Sequence, residues 1–365
     1  MDEAARHPGA ALRVLQGLAA TVVLLAGLRL GAPILVPIAF ALFLTILSLP
    51  FFRWLLRRGL PSMVASLVTV ILIVAGLALF TVLALGSLGE LRETGPLYYR
   101  TLQERFTYTS EWWSARGIVL ENWIPVRWRD PQVIAGVVGG TLRGALAVLS
   151  EITIVLLLLV FLLGEAAAFP GRLARLPRAV QETLRHFGTV SSELQRYLII
   201  KTLMSSAVGV VAGGWLAFLG VDFAVLWGIV AFGCHFIPNI GAVLAVGPPM
   251  LVALVQFDAS QALAVAVGYF VIGLLLGNLI EPTLLGRQLG LSTLVVFLSL
   301  VVWGWLWGAV GMFLSVPLTM SLRILLAHSK EWGWVAALID SPPRALPLAA
   351  AAVAAGEPAV EESRR

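Results

Sequence analysis

Apolar residues run along this chain in long unbroken stretches, separated by short clusters of charge. Charge-free runs cover 14–28, 30–52, 59–89, 202–221, 223–257, 259–280 and 288–322, and a further run, 137–164, is interrupted only by Arg143 and Glu151. A helix needs about 20 apolar residues to cross roughly 30 Å of hydrocarbon. The pattern therefore predicts an all-α polytopic membrane protein with about eight transmembrane segments. Runs 223–257 and 288–322 exceed one crossing. Each has about 35 residues, roughly 52 Å as a single helix, more than tilt absorbs. Both are expected to be broken or re-entrant helical hairpins. The breaks fall at Pro238-Asn239-Ile240-Gly241 and at Trp303-Gly304-Trp305-Leu306-Trp307-Gly308.

The two long runs align without gaps when one is shifted by 70 residues. Leu219-Gly220 falls on Leu289-Gly290, Gly241 on Gly311, Leu244 on Leu314 and Val246 on Val316, and Pro248 nearly meets Pro317. Coincidence between helices rich in Gly, Leu and Val is one reading. The other is an inverted repeat. Two units of opposite membrane orientation, each with a broken helix, place a solute site near the midplane of many secondary transporters.

Composition narrows the classes further. The chain has 365 residues, 59% of them hydrophobic and only 12% charged, with a mean hydropathy of +0.94. Soluble domains carry about 25% charged residues, so a water-soluble globule, a disordered chain and a nucleic-acid-binding domain are poor fits. The net charge of +5 sits between apolar runs and is no nucleic-acid signature. One cysteine, Cys234, excludes an internal disulfide framework, and the scattered His7, His186, His235 and His328 offer no metal-ligand spacing. No Walker A, Gly-x-Ser-x-Gly or dinucleotide fingerprint occurs. No enzyme activity, cofactor or metal is expected.

Lys and Arg concentrate on the cytoplasmic side of membranes. Arg53, Arg57 and Arg58, and later Arg172, Arg175, Arg178, Arg185, Arg196 and Lys201, mark two such segments. Between them, 90–130 is balanced in charge and holds Trp112, Trp113, Trp123 and Trp128. One assignment satisfies all of these. It gives a cytoplasmic N-terminus at 1–13, transmembrane helices over 14–89, an extracytoplasmic Trp-rich segment at 90–136 and a transmembrane helix at 137–164. A cytoplasmic basic segment at 165–201, a transmembrane core at 202–327 and a cytoplasmic tail at 328–365, disordered after 341, complete it. The Trp-rich segment reads as amphipathic helices on the headgroups, with a small extracytoplasmic domain as the alternative. The first apolar run lacks a convincing cleavage site and is expected to be retained.

Ionisable groups inside membrane spans are costly and mark function by default. Glu281 ends one run just before Pro282, with Asn278 at i−3 and Arg287 a short turn away. This is either a polar cluster that gates a solute path or an Asn–Glu–Arg network holding a helix end. Glu151 is a second carboxylate suited to proton or ion coupling, unless its span starts later. Unpaired backbone at the 238–241 break must be buried or line a wet cavity, which makes Asn239 a solute contact. The lone His235 and neighbouring Cys234 read first as packing residues. Tyr197 and Lys201, at the mouth of run 202–221, read first as interfacial anchors. Gly209, Gly213, Gly214, Gly308 and Gly311 suit close helix packing.

Longer motifs are familiar. Gly277-Asn278-Leu279-Ile280-Glu281-Pro282, Leu284 through Thr293, Val295 through Leu300, Trp303-Gly304-Trp305, Val310-Gly311-Met312 and Leu314-Ser315-Val316-Pro317-Leu318 resemble the AI-2E transporter family. So do Phe236 through Val243, and Pro50 through Pro61 with its Arg57-Arg58-Gly59 core. The similarity covers about 14–335 and is greatest to the branch containing the enterobacterial autoinducer-2 exporter. It implies a bacterial inner-membrane, homo-oligomeric exporter of autoinducer-2 or a similar small polar metabolite, with a pentamer as the suggested assembly. Its partners would be the solute and the lipid bilayer. The expected path or gate includes Pro238, Asn239, Gly241, Asn278, Glu281, Pro282, Arg287, Trp303 and Trp307. Some members of the family are similar to sodium/proton antiporters, which gives one alternative; a non-transporting membrane scaffold is the other. Position 235 is His where relatives often carry Asp or Asn, which puts ion coupling there in doubt.

Overall fold

A computed structural model describes residues 8–114, 152–169, 171–173, 177–238, 240–285 and 292–327. Glu151, Asn239 and Arg287, together with 115–136 of the Trp-rich segment and the tail from 328, lie outside the described residues. Among the described residues, nine helical elements carry the fold. They are α1 (Pro8–Leu30), α2 (Ala32–Arg57), α3 (Ser62–Ser114), α4 (Ile152–Phe169), α5 (Arg178–Phe218), α6 (Ala224–His235), α7 (Ile240–Gln256), α8 (Ala259–Leu285) and α9 (Thr293–Ala327). Among the described residues, six stretches are long and apolar enough to cross a membrane: α2, Ser62–Ser87 of α3, α4, Ser192–Phe218 of α5, α8 and α9.

Both long runs fold as hairpins. The first is α6 and α7, of 12 and 17 residues, only about 18 and 25 Å long. Its two feet are tied together. Gln256, at the end of α7, donates from Nε2 to the Gly220 carbonyl and to Asp222 Oδ1, both at 3.1 Å, and accepts from the Asp222 backbone N–H at 3.0 Å. Asp258 then caps α8 by accepting from the Ser260 and Gln261 N–H groups. The second hairpin hides inside α9. Gly308 takes φ 63° and ψ −142°, a conformation that only glycine adopts cheaply. Trp303 Nε1 donates to Thr319 Oγ1 at 3.0 Å. In a straight helix those residues would stand about 24 Å apart, so the chain doubles back. Counting each hairpin as one unit, α1 to α5, the first hairpin, α8 and the second hairpin make the eight segments that the apolar runs predict.

The glycines that align across the two runs do the same work. A Cβ on Gly241 would collide with the Cys234 carbonyl, and one on Gly311 with the Trp303 carbonyl. Each lets the second arm of its hairpin lie against the backbone of the first. Close packing also joins α5 to α6, where Gly209 meets Gly228 and Phe232. Gly214, expected in that role, instead faces open space.

Two helices run past the ends of their apolar stretches. α3 continues past residue 89 as one helix to Ser114, 53 residues in all. α5 begins at Arg178, so 178–201 of the basic segment is continuous with the helix whose Ser192–Phe218 stretch is long and apolar enough to cross a membrane. Charge ends an apolar run but not a helix, because Arg, Glu, Gln and Leu are all good helix formers.

The core is a chain of small clusters. Leu49, Phe52 and Leu55 of α2 pack with Ala65 of α3 and Leu159 and Leu163 of α4. Val208 and Ala212 of α5 meet Ala231, Ala245 and Ile272. The cluster that frames the site joins Phe43 of α2, Leu194, Tyr197 and Leu198 of α5, Phe236, Leu285 and Leu314.

Candidate functional site

The tip of the first hairpin ends against α5 and α8, where three ionisable groups converge. Lys201 Nζ donates to Glu281 Oε1 at 2.8 Å, and His235 Nε2 lies 2.9 Å from Glu281 Oε2. Each carboxylate oxygen has its own partner. Lys201 and Glu281 are 7% and 9% exposed, deep enough that either charge alone would carry a large desolvation cost. Together they form a charge-matched pair, with the imidazole able to donate or accept according to its tautomer.

Local sequence explains why Glu281 reaches inward. Residues Gly273–Ile280 form a π-helical stretch, and the Glu281 N–H donates to the Leu276 carbonyl, five residues back. Pro282 has no N–H to give to the carbonyl four residues before it. Widening the turn re-phases the helix, a distortion that recurs at functional sites. It also separates Asn278 from Glu281. Asn278 is exposed on the outside of the bundle, so the expected Asn–Glu contact gives way to Lys201 and His235. Arg196 Nη2 adds a bond to the Leu284 carbonyl at 3.4 Å, fastening the end of α8 to α5.

The two hairpins meet beside this cluster. Phe236 packs on Phe313 with ring centroids 4.2 Å apart, and Phe313 packs edge-on against Phe43 at 5.4 Å. Pro238 and Gly241 shape the tip next to His235. Trp303 and Trp307 are engaged elsewhere. Trp303 bonds Thr319, Trp307 Nε1 donates to the Leu28 carbonyl at 3.1 Å, and Arg29 sits 4.6 Å over the Trp305 ring. The tip of the second hairpin is thereby fixed to the end of α1. Pro282 is exposed.

The sequence marks Glu281 as a candidate and reads Lys201 and His235 as an anchor and a packing residue; the structure brings the three together. A signal was present. Lys201 opens one apolar run and Glu281 closes another, and the predicted topology puts both at the same side of the membrane. A buried carboxylate needs a cation, and Lys201 is a cation on that side.

A cavity of about 680 Å³ lies between α3, α5 and α6, lined by residues such as Leu79, Phe80, Gly213, Val225 and Phe232. Its hydroxyl, Ser206, is turned back onto the Thr202 carbonyl. Such walls offer a polar solute almost no partner. Among the described residues, no group of three or more His, Cys, Asp or Glu side chains could hold a metal ion.

The sequence pattern of the AI-2E family transporter matches residues 18–331. The chain belongs to the AI-2E transporter family. It is 35% identical over 329 residues to the AI-2 transport protein TqsA of Escherichia coli, covering 90% of this chain and 96% of that one. A putative transport protein of Haemophilus influenzae is 34% identical over 341 residues, covering 90% and 96%. The putative transport protein YrrI of Bacillus subtilis is 25% identical over 308 residues, covering 81% and 86%. Membership and the apolar helices together make this a multi-pass membrane protein of a transporter family.

Proposed function

We propose that this protein exports autoinducer-2 or a similar small polar metabolite across the bacterial inner membrane, with both termini cytoplasmic. The observation that carries the reading is the 35% identity to the AI-2 transport protein TqsA over nearly the whole length of both chains. The site supports it. A membrane bundle that needed only to stand would not keep a buried Lys–Glu–His cluster at the tip of a re-entrant hairpin, because such groups are expensive in hydrocarbon and mark solute or ion pathways. No enzymatic role is needed to account for these residues.

The path includes Lys201, His235, Pro238, Gly241 and Glu281, with Asn239 and Arg287 flanking it in sequence. Sodium/proton exchange, the second reading, wants a carboxylate free to exchange cations. Glu281 is held on both oxygens, which favours solute export over exchange.

The test is uptake of labelled autoinducer-2 into inverted vesicles, with and without an imposed proton gradient. Wild type, Glu281→Gln and Glu151→Gln are compared. Accumulation by wild type that depends on the gradient and is lost in Glu281→Gln is the expected result. Equilibration without accumulation, unchanged in both variants, would make the path passive and the carboxylates structural. No movement of autoinducer-2 by wild type would overturn the substrate assignment.

A further inference from the structure

Most serine and threonine hydroxyls described in these helices follow one habit. They turn back onto a carbonyl three or four residues earlier. Thr45 bonds Ala41, Thr69 bonds Ala65, Ser206 bonds Thr202, Thr283 bonds Leu279, Ser315 bonds Met312 and Ser321 bonds Pro317. This is the ordinary way to satisfy a hydroxyl inside an apolar helix. Thr202 and Ser205 break the habit. Thr202 Oγ1 and Ser205 Oγ are both buried and make no hydrogen bond, and Ser205 is 0% exposed. A buried hydroxyl left unpaired is disfavoured, and the rarity of such groups makes each one informative.

Their position is equally specific. Ser205 stands one turn after Lys201 on the same face of α5. That face is tied to Glu281 at Lys201 and pressed against Gly228 and Phe232 of α6 at Gly209. Ser205 lies between those two contacts. Thr202 is the immediate neighbour of Lys201.

We propose that Thr202 and Ser205, with Lys201, Glu281 and His235, form the binding site for a small, uncharged, polyhydroxylated solute. The inference rests on the export reading and names the solute class. Each protein hydroxyl can both donate and accept, the ammonium donates, the carboxylate accepts and the imidazole does either. A solute carrying several adjacent hydroxyls meets that mixture at every position. An inorganic anion would face the Glu281 carboxylate, and a metal cation would face the Lys201 ammonium. The matched pair therefore selects against net charge. Tyr269 OH and Trp227 Nε1 are likewise buried and unpaired, where Trp227 packs with Ala262 and Val265.

The test uses the full chain in proteoliposomes, with autoinducer-2 and erythritol as probes. Initial rates against concentration are measured for wild type, Thr202→Val, Ser205→Ala and, as a control on the outer face, Ser206→Ala, alongside melting temperatures of the purified proteins. Loss of one hydrogen bond to the solute is expected to raise KM about tenfold in Thr202→Val and Ser205→Ala. Their melting temperatures should hold or rise, because an unpaired polar group has been removed. Ser206→Ala keeps the wild-type KM. Wild-type KM in both test variants, while wild type transports the probes, overturns the inference and leaves the export reading standing. A fall in melting temperature in both test variants also overturns it, because the hydroxyls would then be structural. Failure of wild type to move either probe overturns the export reading and the inference together.

Discussion

Glu281 is the residue on which the site turns, and its value lies in being doubly held. Removing one member of a buried pair leaves the other charge unpaired, at a cost of about 3–5 kcal/mol. Replacing both by apolar residues of similar size is often neutral or stabilising. Glu281→Gln and Lys201→Met are therefore each expected to lower the melting temperature by about 5–10 °C. The double variant Lys201→Met/Glu281→Leu should recover most of that loss without recovering transport. A double variant as unstable as either single one would show that the two charges do not compensate each other. Half of this pair was readable in the sequence. Glu281 announced itself because it interrupts hydrocarbon before a proline. Lys201 did not, because a lysine at the end of an apolar run is ordinarily an anchor, and only the contact across 80 positions distinguishes the two roles. His235 was hidden for the same reason. A lone histidine carries no sign of its partner until the hairpin tip is placed.

At the scale of the elements, the hairpins were legible and the helix ends were not. Length alone forbade single helices at 223–257 and 288–322, and the break motifs located both folds. The π-turn at Gly273–Ile280 left no comparable mark, since its sequence reads as ordinary apolar helix. Nor did the continuation of α3 and α5 beyond their apolar runs, because hydropathy reports where lipid ends rather than where hydrogen bonding ends. The aligned glycines supply a test of the repeat. Gly241→Ala and Gly311→Ala each drive a methyl group into a backbone carbonyl of the facing arm, and backbone cannot yield as a flexible side chain does. Both are expected to reduce the yield of folded, monodisperse protein sharply. Gly233→Ala, one turn from the first tip but facing open space, should behave as wild type. Equal behaviour of all three would remove the argument that the two hairpins are built alike.

For the whole molecule, the folding of α9 at Gly308 decides which side of the membrane its end occupies. In the proposed topology the chain passes from Arg58 through α3, α4 and α5 before reaching Ala259, three crossings plus a hairpin that returns to its own side. Ala259 must then face away from Arg58. One more crossing, α8, leads to the second hairpin. A hairpin adds no net crossing, so Ala327 returns to the side of Arg58, whereas an unbroken helix over Thr293–Ala327 would deliver it to the side of Ala259. In the proposed topology the arginines at the end of α2, with Arg58 lying 4.9 Å over the Trp54 ring, put the shared side in the cytoplasm. The chain has one cysteine, so a Cys234→Ser background permits single reporters at Arg58→Cys, Ala259→Cys and Ala327→Cys. An impermeant maleimide applied to intact cells is expected to label only the Ala259 reporter, and the other two after permeabilisation. Labelling of the Ala327 reporter on intact cells would mean that the chain does not double back at Gly308. It would remove the second hairpin, and with it the surface on which Phe236 and the tip of the first hairpin rest.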